Sequence, residues 1–390
     1  MNGNITKYIP SFSPALPFLK PWLPPYSELE DNLKNILSTG MLTKGELNKQ
    51  YENAVSNYIG SGEVIAVSSA TSGLIMTLLA MNITGEVLVP SFTFCATANA
   101  VVRAGAVPVF VDCDPETYTI CPDDLEKKIT SRTQAILAVH VFGVPARCEK
   151  LASLAHDYNL NLIFDSAHAM GSELNGVKIG NFGDAEVFST TPTKTLVTGE
   201  GGLIVTRNPE LALRLRALKE YGNTGDYDNP WAGLNGRLSE MQCALGLASL
   251  LHLEESVSLR NSLAAIYRKK LREVPGIELQ HIPEYVKTTC KDLSVIIDPV
   301  HFGCNRDELA DALQKEGIPT RKYFYPALHQ MKAFREYASE RLPCTERIAA
   351  GILCLPLYPD LPSRDVEKIC DVILNIHGRC QTKLPPETQL

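Results

Sequence analysis

Short apolar runs alternate with helical stretches through the first two-thirds of this 390-residue chain, and this alternation restricts the possible folds most. Six of the runs predict buried strands, at residues 86–90, 107–112, 135–143, 161–165, 185–190 and 201–206. Continuous apolar strands separated by amphipathic helices predict an α/β protein with a buried, mostly parallel sheet. Because ligands of such sheets bind beyond the carboxyl ends of the strands, we expect the functional residues there.

The last third of the chain predicts a second, smaller unit. Residues 234–274 predict long helices with few breakers, which lead out of the first unit. A strand at 291–298 and helices at 306–317 and 366–378 follow. We therefore expect a large domain over residues 15–250 and a small C-terminal α/β domain over residues 251–390, with a frayed tail at 380–390.

Composition excludes several classes of protein. The net charge of −7 argues against a nucleic-acid binder, which usually has a basic surface. No apolar run approaches the roughly 20 residues of a membrane span, and prolines interrupt the N-terminal segment where a signal peptide needs an apolar core. The 11 cysteines contain no C-x-x-C pair, which favours reduced thiols over a metal site. We expect a cytoplasmic protein without a metal or a membrane partner.

Two titratable residues follow predicted strands. Asp165 ends the strand at 161–165, where a carboxylate in apolar surroundings needs a partner, although it could simply cap a helix. Lys194 lies in a loop rich in hydroxyl groups, between two predicted strands. A loop lysine is usually just solvated, but lysine becomes a Schiff-base nucleophile when its surroundings lower its pKa.

Two helix starts add to this pattern. Residues 69–71 precede an apolar helix, where the free N–H groups could bind a phosphate or could only be capped. Phe94 opens the next helix and could belong to the core or stack on a flat heteroaromatic ring. With Lys194 and Asp165, these features supply what pyridoxal phosphate (PLP) requires: an amine for its aldehyde, a carboxylate for its ring nitrogen, a phosphate site and a stacking ring.

The chain resembles the DegT/DnrJ/EryC1/StrS family of sugar aminotransferases in the stretches SSATSGL, VPSFTFCATANAVVRAGAVPVFVDCDPETY, FDSAHAMG and FSTTPTKTLVTGEGG. The similarity continues through GLNGRLSEMQCALGLASL and GIPTRKYFYPALHQM, and extends over residues 15–375. It implies the aspartate aminotransferase fold (PLP fold type I), with a seven-stranded, mostly parallel sheet in the large domain. It also implies a homodimer whose active sites are shared between subunits.

The resemblance also implies roles for individual residues in PLP binding. Lys194 would hold PLP as a Schiff base and shuttle protons, while Asp165 would pair with the pyridine nitrogen. His168, where many members have Gln, would hydrogen-bond the phenolic oxygen, and Phe94 would stack on the ring. Because some relatives with His in place of Lys194 are sugar 3-dehydratases, the lysine favours transamination.

The resemblance places further residues at the phosphate. Ala70, Thr71 and Ser189 would hold it, and Asn235 would reach it from the neighbouring subunit. The family often has Gly where this chain has Ala70, whose backbone N–H is still available. An aromatic residue is usual at Gly236, so glycine there would leave a smaller wall beside the substrate.

The implied reaction is a ping-pong transfer of an amino group from L-glutamate to a nucleotide-linked 4-keto-6-deoxy sugar. It would serve amino-sugar biosynthesis for a surface polysaccharide, such as lipopolysaccharide, or a secondary metabolite. Because the acceptor is anionic, a local basic cluster is needed. Arg321 and Lys322 are candidates for this cluster, with Tyr325 and His329 close by in sequence, although the 321–329 segment could equally be an exposed strand end. The resemblance makes Arg237 a substrate-binding or interface residue.

Three other functions remain open at this point. One is a PLP enzyme of the same fold with different chemistry, such as a desulfurase, although no cysteine stands out as catalytic. Another is a non-catalytic, PLP-binding regulatory protein, against which the Lys194–Asp165 combination argues. A third is a nicotinamide-dependent sugar reductase, but residues 60–73 lack the G-x-G-x-x-G spacing.

Overall fold

The computed structural model describes residues 9–226 and 228–382, and in them the chain forms thirteen strands and thirteen helices. The strands are β1 Glu63–Val67, β2 Glu86–Pro90, β3 Val107–Val111, β4 Thr133–Val139, β5 Asn161–Asp165, β6 Glu173–Leu174, β7 Val177–Lys178, β8 Ala185–Ser189, β9 Gly202–Thr206, β10 Ile277–Leu279, β11 Val286–Lys287, β12 Leu293–Ile297 and β13 Ile352–Leu355. The helices are α1 Glu30–Thr39, α2 Glu46–Ile59, α3 Ala70–Ala80, α4 Ala96–Arg103, α5 Pro122–Lys127, α6 Cys148–Asp157, α7 Pro209–Leu218, α8 Glu240–Leu251, α9 Leu253–Leu271, α10 Pro299–Phe302, α11 Arg306–Lys315, α12 Pro343–Gly351 and α13 Ser363–Gln381.

The largest sheet has seven strands in the order β1-β9-β8-β5-β4-β2-β3. Strand β9 runs antiparallel to both of its neighbours, β8 and β1, and the remaining pairs are parallel. The predicted α/β class and mostly parallel sheet are therefore confirmed. The apolar pattern did not predict β1, because its short run continues almost directly into the apolar residues of α3.

The sheet is covered on both faces, which explains why its strands are apolar along their whole length. Side chains alternate between two buried clusters: Leu88 and Phe164 pack with α2, α6 and α8, while Val87 and Ile163 pack with α3, α4 and α7. The predicted strand at 135–143 is shorter in the structure, because β4 ends at Val139 and residues 141–143 form a 3₁₀ turn.

The C-terminal part has its own core. Strands β10, β12 and β13 form a three-stranded sheet that packs with α9, α11 and α13. Phe12 from the N-terminal segment joins this cluster, and its backbone N–H donates to the carbonyl of Glu316 at 2.9 Å. The predicted helical connection begins later than residue 234, because α8 starts at Glu240. The domain limits 15–250 and 251–390 stay a prediction, and residues 383–390 lie outside the described chain.

Neither a membrane-spanning helix nor a disulfide bond occurs among the described residues. None of the described helices is apolar over a long enough stretch to cross a bilayer. All 11 cysteines, from Cys95 to Cys380, are free thiols.

Candidate active site

The carboxyl ends of β1, β2, β4, β5 and β8 meet at one edge of the large sheet, where a cavity of about 340 Å³ opens. Parallel strands bring these ends together, so residues distant in the chain become neighbours. Seven residues singled out from the sequence line this cavity: Ala70, Thr71, Phe94, Asp165, His168, Ser189 and Lys194.

The start of α3 forms one end of the cavity. Ser69 caps this helix, and its hydroxyl accepts a hydrogen bond from the backbone N–H of Ser72 at 3.1 Å. The N–H groups of Ala70 and Thr71 belong to the first helical turn and have no intrahelical acceptor. A Cβ at Gly202 would lie 2.6 Å from the backbone nitrogen of Ala70, so only glycine lets β9 approach this turn. The helix start therefore offers N–H donors and a positive dipole end to an anion.

Hydroxyl groups at the end of β8 extend this polar surface. The Ser189 side chain is buried, and its Oγ lies 3.3 Å from Oγ1 of Thr191. Thr193, on the same loop, also lines the cavity. These hydroxyls and the α3 start together suit a phosphate group.

Asp165 is a buried carboxylate held in a fixed orientation. Thr97 donates to its Oδ2 at 2.8 Å, and the backbone N–H of Ala167 donates to its Oδ1 at 3.2 Å. Burial raises the pKa of Asp165, and these two hydrogen bonds and the charge of Lys194 oppose the shift. Such a carboxylate is suited to a cationic partner inside the cavity.

Lys194 extends from the loop between β8 and β9. Its backbone N–H donates to the carbonyl of Thr191 at 3.0 Å. Within the described residues, its Nζ forms no hydrogen bond or ion pair. Burial and the charge of Lys291 lower the pKa of Lys194 to about 7, although the negative charges of Asp292 and Asp165 act to raise it. A large fraction of the amine is thus neutral near pH 7, as a nucleophile requires.

This pKa predicts how fast the cofactor-free protein captures PLP at different pH values. The neutral fraction of an amine with a pKa of about 7 rises about tenfold between pH 6 and pH 8 and then levels off. We expect the same profile for the capture rate, followed by stopped-flow absorbance. Nα-acetyl-lysine is the control, since its rate should keep rising through pH 9. A capture rate that still climbs tenfold per pH unit above pH 8 would contradict the lowered pKa.

His168 is held as a neutral hydrogen-bond donor. Its Nδ1 accepts the backbone N–H of Phe142 at 3.2 Å, so the proton of the neutral ring lies on Nε2. Burial, followed by the charges of Lys194 and Lys291, keeps the pKa of His168 well below its usual value. The ring lies nearly parallel to that of Phe324, with centroids 6.2 Å apart.

An aromatic surface completes the cavity. Phe94 is 56% exposed, although it lines a cavity, and its ring centroid lies 6.3 Å from that of Phe324.

Four further lining residues were not predicted from the sequence. They are Tyr323 and Phe324, and the adjacent pair Lys291 and Asp292. The one signal for that pair was two charged residues directly before the apolar run of β12.

Comparison with known proteins identifies the family. The sequence model of the DegT/DnrJ/EryC1/StrS aminotransferase family matches residues 26–374. The chain belongs to this aminotransferase family. A dTDP-4-amino-4,6-dideoxy-D-glucose transaminase of Escherichia coli is 33% identical over 367 residues, covering 92% of this chain and 98% of the relative.

Solved structures of the DegT/DnrJ/EryC1/StrS family support the assignment. DesI, crystallised in the presence of its TDP-sugar product, matches with a TM-score of 0.90 and 33% identity over 96% of each chain. NtdA of Bacillus subtilis, with its cofactor PMP bound, matches with a TM-score of 0.83 and 28% identity, over 90% of this chain and 82% of NtdA. The predicted resemblance and the aspartate aminotransferase type of fold are confirmed.

The family depends on PLP, and the cavity contains groups that suit this cofactor. The α3 start could hold its phosphate, Asp165 its ring nitrogen and Lys194 its aldehyde carbon. The Nε2–H of His168 could donate a hydrogen bond to an oxygen acceptor such as the phenolic oxygen of PLP. Each chemical group of PLP thus has a suitable residue in this one cavity.

Two other residues that the family pattern singles out lie outside the cavity within this chain. Asn235 is exposed beside Glu220, and Arg237 donates to Oε2 of Glu220 at 3.0 Å. Gly236 is buried, and a Cβ there would lie 3.0 Å from Cε of Met76. The expected smaller wall is therefore not found in the cavity of the same chain, because Gly236 packs against α3.

The predicted substrate residues of the 321–329 segment also lie beside the cavity rather than on its lining. The Arg321 guanidinium lies 5.0 Å from the ring centroid of Phe18, and Tyr325 is exposed. His329 is buried, with its Nδ1 2.7 Å from Oγ of Ser91. The lining residues that this segment contributes are Tyr323 and Phe324, and the substrate role of the other three stays a prediction.

Proposed function

We propose that this chain is a PLP-dependent aminotransferase that moves an amino group from L-glutamate to a nucleotide-linked keto-sugar. The observation that carries the proposal is the placement of the Lys194 amine, with its pKa near 7, in one cavity with the buried Asp165. A 4-keto-6-deoxy sugar is the proposed acceptor, because the E. coli relative is named for the corresponding 4-amino sugar. DesI, crystallised with a TDP-sugar product, supports the same class of acceptor.

Lys194 and Asp165 have complementary roles in this proposal. PLP, when bound, supplies the electron sink that stabilises negative charge on the substrate carbon. Lys194 would hold the cofactor at its aldehyde carbon, and its free amine would carry a proton between the substrate carbon and the cofactor carbon. An amine with a pKa near the working pH suits both directions of this transfer. Asp165 would pair with the ring nitrogen and keep it protonated.

The remaining cavity residues would hold and orient the cofactor. The N–H groups of Ala70 and Thr71 and the Ser189 hydroxyl would bind its phosphate. His168 would donate from Nε2 to its phenolic oxygen, and Phe94 would stack on its ring. The fixed carboxylate of Asp165 and the anion site at the α3 start would then orient the cofactor between them.

We propose a homodimer in which Asn235 of each subunit reaches the phosphate of its partner. The exposed position of Asn235 outside the cavity of its own chain supports this arrangement. Arg237, Arg321, Tyr325 and His329 remain the proposed acceptor-binding residues, and none of them lines the cavity of its own chain. A cytoplasmic location, supported by the 11 free cysteines, suits a role in amino-sugar supply for surface polysaccharide or secondary metabolites.

Mixing two inactive variants tests the shared site. Asn235→Ala and Lys194→Ala each damage a different half of one composite site, so a mixed dimer contains one intact site. We expect co-refolded mixtures to recover up to about a quarter of wild-type activity, since half of randomly formed dimers are mixed. Equal amounts of each variant alone are the controls. Activity in the mixture no higher than the sum of the controls would contradict a shared site.

Amine transfer itself is tested with the purified protein and PLP. We expect L-glutamate to bleach the visible absorbance band, and dTDP-4-keto-6-deoxy-D-glucose to restore it with formation of an amino sugar. A panel of other keto-sugar nucleotides covers alternative acceptors. Bleaching by glutamate without restoration by any member of the panel would overturn the sugar-nucleotide proposal.

The same assay separates the alternative chemistry. A desulfurase requires a cysteine at the cofactor, and none of the described residues that line the cavity is a cysteine. A regulatory protein would bind PLP without turning over the amino donor.

A further inference from the structure

A buried ion pair lies in the cavity wall, and the roles proposed above do not use it. Nζ of Lys291 donates to both carboxylate oxygens of Asp292, each at 2.8 Å, and each side chain is only 3% exposed. Both residues line the same cavity as Lys194. The Lys291 ammonium also lies 5.8 Å from the ring centroid of Tyr323.

The backbone around this pair is fixed from several sides. Cys290 has a φ of 48°, in the left-handed region that non-glycine residues rarely adopt. The N–H of Lys291 donates to the carbonyl of Phe142 at 3.1 Å, and buried Arg260 donates to the carbonyl of Lys291 at 3.3 Å. These contacts hold the strained backbone in a conformation that directs Lys291 and Asp292 to the cavity.

Stability gives little reason for such a pair. The cost of removing two charges from water roughly cancels their attraction, and apolar residues would stabilise the fold as well. Strained backbone also clusters at functional sites. Lys291 contributes to the lowered pKa of both Lys194 and His168, so its charge acts close to the reacting amine.

The two substrates make different demands on this part of the cavity. An amino-acid donor brings a carboxylate on the reacting carbon, whereas the sugar ring has no charge there. Among the described lining residues, Lys194 and Lys291 are the only lysine or arginine side chains, and Lys194 is occupied by the reaction. Lys291 can pair with the donor carboxylate when the amino acid is bound, and with Asp292 when the uncharged sugar ring is bound.

We propose that Lys291 binds the α-carboxylate of the amino-acid donor, and that it returns to Asp292 when the sugar fills the cavity. This inference rests on the proposed function in one respect, that an amino acid and a sugar use the cavity in turn. It adds a donor-binding group that the sequence pattern did not identify.

The test measures the donor half-reaction of the PLP-loaded enzyme by stopped-flow absorbance. L-Glutamate is compared with its α-amide, isoglutamine, which keeps the amine and the side-chain carboxylate but lacks the α-carboxylate. We expect Lys291→Met to raise the apparent Kd for L-glutamate about 10- to 100-fold, the usual effect of losing a charge-assisted hydrogen bond. The preference of the Lys291→Met enzyme for L-glutamate over isoglutamine should fall by a similar factor. Lys291→Arg should retain most of the affinity for L-glutamate and most of this preference.

Asp292→Asn gives the opposite result if the proposal is correct. Lys291 then loses its competing partner, so the apparent Kd for L-glutamate should fall a few-fold, which damage to the fold cannot produce. Lys287→Met is the matched control, because Lys287 is an ion-paired lysine of the same segment, bonded to Glu173 and Glu254 outside the cavity. Its half-reaction should match the wild type.

Two outcomes would overturn the inference. One is an unchanged preference for glutamate over isoglutamine in Lys291→Met. The other is equal weakening of both compounds by Lys291→Met and Asp292→Asn, which indicates a structural role. L-Aspartate, L-alanine and L-glutamine extend the test to other donors with the same α-carboxylate. If the donors react normally but no sugar nucleotide accepts the amine, the proposed function fails. The donor half-reaction of the Lys291 and Asp292 variants still tests this inference.

Discussion

Replacing Lys194 by alanine is expected to reduce amine transfer by about a thousandfold or more. The change removes the nucleophile and the proton carrier together, and each function alone contributes factors of about 10² or more to such reactions. The variant should still bind PLP, because the α3 start, Asp165 and His168 are unchanged. The absorbance band of lysine-bound PLP should be missing from its spectrum. The measurement is kcat with L-glutamate and the sugar acceptor, beside the spectrum.

Lys150→Ala is the matched control for this variant. Lys150 is exposed on α6 and does not line the cavity, so its replacement should leave turnover and the spectrum unchanged. Thermal unfolding of both variants separates lost chemistry from lost folding. Lys194→Ala with a wild-type turnover rate would refute the central assignment.

Replacing Asp165 by asparagine is expected to lower kcat about 10²- to 10³-fold, as for the loss of one preorganised electrostatic group. The amide has the same shape but no charge, so it cannot keep the ring nitrogen protonated. One of the two hydrogen bonds that now orient the side chain, from Thr97 and from Ala167, would also meet an NH₂ group instead of an oxygen. Both half-reactions should slow, because each needs the same electron sink.

Asp311→Asn provides the comparison, since Asp311 is an exposed aspartate of α11. It should keep wild-type kinetics and stability. The measurement for Asp165→Asn is the rate of each half-reaction, together with the PLP dissociation constant. If only one half-reaction slows, Asp165 acts on a substrate and not on the cofactor ring.

The sequence predicted the parts of the site that depend on strand ends. Asp165, Ser189 and Phe94 follow buried apolar runs, and parallel strands bring such ends together without any knowledge of tertiary contacts. The antiparallel direction of β9 could not be predicted, because an apolar run has the same pattern in either direction.

The C-terminal contribution to the site was less accessible from the sequence. Lys291 and Asp292 precede β12 in the sheet of β10, β12 and β13, and only the docking of the two parts brings them to the cavity that Lys194 lines. In the 321–329 segment, charge and polarity favoured Arg321 and His329, whereas the lining residues are the aromatic Tyr323 and Phe324. Arg321 instead lies over Phe18, a contact between segments distant in sequence.

Both parts of the chain line the cavity: Asp165 and Lys194 belong to the part with the large sheet, and Lys291 and Phe324 belong to the C-terminal part. A ligand that touches both walls binds only when the two parts are docked, so occupancy and docking are thermodynamically linked. At a hundred times its Kd, such a ligand adds about 2.7 kcal/mol to the free energy of unfolding. Ligands that contact both walls therefore stabilise the docked arrangement of the two parts, and this stabilisation increases with ligand concentration.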